Sequence, residues 1–178
     1  MAEDLADVLE ESEGTPEAIF DALARRCESP IEVLMLGALA FGLNRSFYTE
    51  QAPSPGFVTR CVTEPTGIWI VPQFEIGRHR VDFLVTHIAE HMPNVITRAM
   101  VAVECDGHDY HDKTPEQAQR DKSRDRELIA QGYPVLRFTG REIVRDPRKC
   151  ADDVANALIA VARHQFKAMV SADAELAI

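Results

Sequence analysis

The chain has 178 residues, 46% of them hydrophobic, with 19 Lys and Arg against 29 Asp and Glu for a formal charge of −10. That length and apolar content can bury one core without staples, and the four cysteines, Cys27, Cys61, Cys105 and Cys150, are scattered with no C-x-x-C pair, as reduced thiols are. No apolar run approaches the roughly twenty residues of a membrane span, and the N-terminus is acidic where a secretory signal is basic and then apolar, so a cytoplasmic protein with no membrane partner is expected.

The charge is unevenly spread. The first seventeen residues hold seven acids and no Lys or Arg, which leaves 22 acids against 19 bases in the remainder. Between Arg120 and Lys149 there are nine Lys or Arg and five Asp or Glu. A nucleic-acid partner is therefore compatible with the acidic total.

Residues 1–14 read as an acidic segment, left open between a short helix on Leu5, Val8 and Leu9 and no fixed structure. Thr15-Pro16 starts a helix with a capping hydroxyl and a proline at its first position, and Ile19, Phe20, Leu23 and Ala24 form its apolar stripe. Ser29-Pro30-Ile31-Glu32 starts a second helix with the spacing of a capping box, and Ile31, Leu34, Met35, Ala38 and Leu39 are expected to bury one face. From Asn44 to Pro65 the prolines and Gly56 indicate a loop with a short strand over 57–61.

Residues 67–76 read as a strand whose interior Pro72 cannot donate to a ladder, which favours a sheet edge or a bulge. A turn at Gly77 leads into a strand over 80–88, a longer turn over 89–94 and a third strand over 97–104. Links this short require an antiparallel meander. Thr114-Pro115-Glu116-Gln117 opens a helix expected over 115–131 with Gly132 as its stop, followed by a short strand over 134–139 lying parallel to the third. A helical turn over 140–145 and a long amphipathic helix after Pro147 complete an α-β-β-β-α-β order with extra helices at both ends. One domain over 15–170 follows, with its core at about 28–145.

The chemistry concentrates at Val101 to His111. Side chains two apart on a strand share a face, so Glu104 and Asp106 point one way and Cys105 the other. Meander pairing can bring Asp82, an acid in an otherwise apolar strand, beside them. Carboxylates gathered this way repel unless a cation sits among them, and a magnesium-type ion, with few carboxylate ligands and several waters, is the natural candidate. Relieving that repulsion leads to the expectation that alanine at Asp82 or Glu104 leaves the fold intact. The simpler reading of Asp82 is an ion pair with Arg80. Zinc on Cys105, Asp106, His108 and His111 is disfavoured, because Cys105 points away from Asp106.

Four segments then resemble one superfamily: Gln73-x-x-Ile76-Gly77-x-x-Arg80-Val81-Asp82-Phe83, Val103-Glu104-Cys105-Asp106-Gly107-x-x-x-His111, Arg124-Asp125-x-x-Leu128, and Gly132-Tyr133-x-Val135-Leu136-Arg137-Phe138. Together they look like the PD-(D/E)XK nucleases, and within them the short bacterial proteins related to very-short-patch-repair endonucleases. The resemblance implies a restriction-endonuclease-like α/β fold and a metal-dependent DNA endonuclease of a repair or restriction type. It further implies that Asp82 and Glu104 hold Mg2+, or Mn2+ in its place, with the main-chain carbonyl of Cys105 as a further ligand and Glu32 completing the site. Glu32 is also the acid of its own capping box.

The departure is at Asp106, where the superfamily motif places a lysine. Asp106 can approach the same ion, orient His111 or shape the turn. Lys122, on a helix stripe with Ala118, Asp125 and Ile129 expected to face the sheet, is one replacement for the lysine; an ordinary solvated lysine is the alternative. His108 and His111 are candidate proton carriers, or donors that fix the loop. A rival reading keeps the nuclease frame as a module that binds DNA or a protein without cutting, and RNA is a third substrate class.

Overall fold

The computed structural model describes residues 16–47, 67–92, 95–107 and 114–176. Two helices, α1 (Pro16–Ala24) and α2 (Pro30–Phe47), precede strands β1 (Gly67–Ile76), β2 (His79–Met92) and β3 (Val95–Asp106). Helix α3 (Pro115–Ala130), strand β4 (Val135–Thr139), the short α4 (Gly140–Arg145) and the long α5 (Pro147–Leu176) follow. The strands form one mixed sheet in the order β1-β2-β3-β4, antiparallel across the meander and parallel between β3 and β4.

Helices cover both faces of this sheet, and that is why β2 and β3 read as nearly unbroken apolar runs. On one face Phe83, Val85, Val101 and Val103 pack with Met35, Leu36 and Leu39 of α2 and Val154 and Leu158 of α5. On the other, Leu84 and Ala102 meet Leu128 of α3 together with Ile76 and Val81. Fully burying each such side chain stabilises the fold by about 1.5–3 kcal/mol, so these two layers fix the sheet between its helices.

Local signals account for the boundaries. Thr114 and Gln117 close a capping box at the start of α3. Its end is a Schellman turn: the Tyr133 amide donates to the Leu128 carbonyl at 3.0 Å and the Gly132 amide to Ile129 at 2.9 Å, with Gly132 at φ 89°. Thr139 and Glu142 form a second capping box, which makes the expected helical turn a true helix. β1 is an edge strand, so Pro72 is tolerated there.

Three expectations change. The β2–β3 ladder continues past a register shift between Glu90 and Met92 to the pair Met92 and Val95, so the strands are longer than their apolar runs and the expected turn over 89–94 is mostly strand. Leu34 is exposed, as is Phe41, because α2 turns Met35, Leu36, Leu39 and Leu43 to the sheet instead. The simple ion pair of Asp82 with Arg80 gives way to one between Arg80 and Glu28 at 2.8 Å. The expected strand over 57–61 and the acidic residues 1–14 lie outside the described residues.

Candidate active site

Alternation along the β1–β2 hairpin breaks at one place. Ile68 and Ile70 face the α2 and α5 side, but Phe74 and Ile76 face the α3 side. In β2, Phe83 and Val85 belong to the first side and Val81 to the second. Both strands therefore exchange faces between these positions, at Gln73 and Asp82. Gln73 has φ 53°, a left-handed backbone that non-glycine residues rarely adopt. Neighbouring pairs Pro72 with Phe83 and Phe74 with Val81 put Gln73 opposite Asp82.

The same row extends across the sheet. Phe83 pairs with Val103, so the next position in that register sets Asp82 opposite Glu104, and Glu104 is the partner of Arg137 on β4. Gln73, Asp82, Glu104 and Arg137 thus form one polar row over four strands whose flanking rows are apolar. A polar row at this level costs stability unless its members are satisfied, and each has partners.

Asp82 Oδ2 accepts the Cys105 amide at 2.6 Å. Cys105 itself packs on the other side, against the main core, as its position between Glu104 and Asp106 requires. Glu104 is buried and takes Arg124 Nη2 at 2.5 Å, with Arg137 Nη1 at 4.0 Å. Arg137 also stands 3.7 Å from Asp106 and is tied to Asp125 at 2.7 Å. Glu104 and Asp106 do share a face, the one covered by α3.

On the opposite side Glu32, although carried by a helix, is buried at 6% exposure and gathers three donors. The Glu28 amide, the Ser29 hydroxyl and Gln73 Nε2 reach it at 2.8, 2.7 and 2.8 Å. Ser29 Oγ in turn accepts the Glu32 amide at 3.3 Å. The helix-start donors thus take both oxygens of the carboxylate, Ser29 at Oε1 and the Glu28 amide at Oε2, and Gln73 reaches the same Oε2 from the sheet.

The electrostatics follow from burial. Glu104 is pushed up to about 7, with burial as the largest cause and Asp82 and Asp106 adding to it, against the opposing pull of Arg124 and Arg137. Burial also raises Asp82, with Glu32 and Asp106 contributing, while the Cys105 amide and Arg124 pull it down. The Cys105 thiol is raised by burial and by three nearby carboxylates, and Cys27 is pushed up to about 12 mainly by burial, so neither is an activated nucleophile.

Lys122 does not face the sheet. It is exposed, as is Ile129, whereas Leu128 is fully buried and Arg124 and Asp125 are half-buried. The inward stripe of α3 is thus rotated by one residue from the expected one, because Leu128 rather than Ile129 fills the space over Leu84 and Ala102. His108 and His111 lie outside the described residues. Gln73, Arg124 and Arg137 were visible only as motif letters; the i, i+3/i+4, i+7 set of Asp121, Arg124, Asp125 and Leu128 was the signal that would have turned Arg124 inward. Among the described residues no three His, Cys, Asp or Glu side chains stand together as a ready-made metal cage.

A four-stranded mixed sheet between helices, with acidic residues brought together across its two central strands, is the architecture of a restriction-endonuclease-like nuclease. Residues 58–158 match the model of the restriction endonuclease-like family REase_MTES_1575, and the chain belongs to that family. No curated protein and no solved structure gives a match to it. Among the described residues no helix is long and apolar enough to cross a membrane.

Proposed function

We propose that the protein is a metal-dependent endonuclease that hydrolyses phosphodiester bonds in DNA, of the nicking, repair or restriction type that its resemblance to very-short-patch-repair endonucleases implies. The observation that carries this reading is the cross-strand placement of half-buried Asp82 and buried Glu104, both held above their ordinary range chiefly by burial, with Asp82 adding its charge at Glu104 and Glu32 and Asp106 adding theirs at Asp82. Such a pair is costly in the resting protein and relieved by a cation.

The donor set fits a hard ion. Asp82, Glu104 and the main-chain carbonyl of Cys105 offer oxygen ligands only, and Mg2+ or Mn2+ needs few of them because it keeps waters. When bound, the ion would neutralise charge on the scissile phosphate and lower the pKa of an attacking water. The chain's own residues do the rest. Asp82, anchored by the Cys105 amide, presents its carboxylate at a fixed height on the sheet. Glu32, held by Gln73 and its own cap, adds negative charge from the α2 side. Asp106 shares the Glu104 face and is the further ligand in this reading. His108 and His111 are its proton carriers, and Lys122 contributes as a surface cation rather than from within the site.

The basic segment supports a nucleic-acid substrate. Of its nine Lys and Arg, Arg120, Lys122, Arg126, Arg141, Arg145, Arg148 and Lys149 are exposed, while Arg124 and Arg137 turn inward. Exposed cations of this kind serve phosphate contacts, which position a duplex without reading its sequence. The catalytic unit is taken as one domain over residues 15–170, in the cytoplasm.

A second reading has an observation of its own. With Asp106 in place of the motif lysine and with Arg124 and Arg137 already neutralising Glu104, the frame suits a module that binds DNA or a protein partner without cutting. Supercoiled plasmid incubated with purified protein, with Mg2+, with Mn2+ and with EDTA, separates the two. Divalent-dependent nicking supports the endonuclease. DNA binding that persists in EDTA with no nicking under any metal supports the module.

A further inference from the structure

Arg124 holds the place of a cation. Its Nη2 donates to Glu104 Oε1 at 2.5 Å and also to the Arg80 carbonyl oxygen, and its Nη1 lies 3.4 Å from Glu104 Oε2. One guanidinium from α3 thereby bridges a buried carboxylate of β3 and the main chain of β2, two residues before Asp82. Its charge reaches Asp82 as well, opposing the burial of that carboxyl.

The second guanidinium near Glu104 is placed differently. Arg137 gives its Nε and Nη2 to Asp125 at 3.2 and 2.7 Å, and only Nη1 turns to the site, 4.0 Å from Glu104 and 3.7 Å from Asp106. A bidentate pair of this kind is a strong anchor. Arg137 is therefore fastened to α3 whether or not Glu104 is engaged, whereas the closest carboxylate of Arg124 is Glu104 itself.

We propose that Arg124 is a displaceable counter-cation: it occupies Glu104 in the resting protein, and a divalent ion binds by taking that carboxylate from it. The proposal rests on the metal-site reading above and adds the identity of the group the ion displaces. Glu104 Oε1 cannot accept a guanidinium at 2.5 Å and ligate a metal on the same lone pairs, and two positive charges a few ångströms apart in half-buried surroundings repel strongly. Arg124 is thus a positioning residue that sets the affinity of the site for its ion.

The test is Mn2+ alone titrated calorimetrically into the full chain in mildly alkaline buffer without nucleic acid, for the parent, Arg124→Gln, Arg124→Lys and Glu104→Gln, with circular dichroism reporting the fold. Arg124→Gln should bind Mn2+ about tenfold or more tightly than the parent, and Arg124→Lys should lie between them, since a lysine keeps the charge but not the fork. A residue that only braced the helix would give weaker or equal binding on removal, and that result overturns the proposal. If Arg124→Gln does not fold, Arg124→Lys decides: tighter binding than the parent supports displacement, and equal or weaker binding overturns it. Loss of binding in Glu104→Gln alongside an unimproved Arg124→Gln leaves the metal site standing and removes only the role of Arg124. Equal binding by the parent and Glu104→Gln removes the metal site on Glu104 and the proposal with it.

Discussion

The Cys105 amide donates to Asp82 Oδ2 at 2.6 Å, so a side chain of β2 ends the β2–β3 ladder one step beyond the pair of Phe83 with Val103. The contact gives Asp82 a structural duty beside any catalytic one, and it revises the expectation that alanine there is harmless. Asp82→Asn keeps an oxygen for the amide and should unfold within about 1 kcal/mol of the parent, whereas Asp82→Ala leaves a part-buried N–H unmet and should lose about 1–3 kcal/mol. Denaturant titration of both variants checks this. Equal stability of the two would remove the capping role.

Glu104 makes a pH-dependent contribution whose sign is fixed by its raised carboxyl. The folded value is about 7 against an ordinary 4.5, so the folded state binds the proton more tightly than the unfolded state. The stability that proton confers is fully present below the ordinary value and is lost as pH rises through the folded one. Glu104→Gln, which imitates the protonated acid, should therefore gain on the parent across that window, by roughly 3 kcal/mol in all. Melting curves of both proteins over the window, without metal, give the difference directly, and a constant difference would show that Glu104 titrates normally.

Gln73 combines a left-handed backbone at φ 53° with a hydrogen bond to Glu32 at 2.8 Å. Gly relaxes the first and loses the second, while Ala loses the second and keeps the strain. Gln73→Ala should cost about 1–3 kcal/mol and Gln73→Gly about 1 kcal/mol less than that. Chemical denaturation ranks them. If glycine were as damaging as alanine, the backbone conformation would carry no strain, and the value of Gln73 would rest on Glu32 alone.

Much of the frame was readable because its signals are local. Thr114 with Gln117, and Gly132, each name their own structure, Pro72 narrows its strand to an edge or a bulge, and the meander follows from short links. Glu104 and Asp106 on one face follow from the period of a strand. What escaped was set by packing between distant segments. The register that places Gln73, Asp82, Glu104 and Arg137 in one row depends on pairings across four strands. The rotation that buries Leu128 and exposes Lys122 depends on the shape of the sheet beneath α3. The stripe of Asp121, Arg124, Asp125 and Leu128 stood in the sequence beside that of Ala118, Lys122, Asp125 and Ile129, but periodicity alone does not rank the two, and a one-residue error turned Lys122 inward in place of Arg124. Glu32 was legible as a cap, but Gln73, 41 positions away, is what links that cap to the sheet.

The central claim is that Asp82 and Glu104 hold the ion that cutting requires. The most direct measurement is nicking of supercoiled plasmid in Mn2+ by the parent, Asp82→Asn and Glu104→Gln, substitutions that keep the side chain's shape and one acceptor oxygen while removing one negative charge each. With all three shown to be folded by their melting curves, the expected result is metal-dependent nicking by the parent and a loss of at least about a hundredfold in each variant, in line with removal of a group that stabilises charge in the transition state. Nicking by either variant at the parent's rate would contradict the claim.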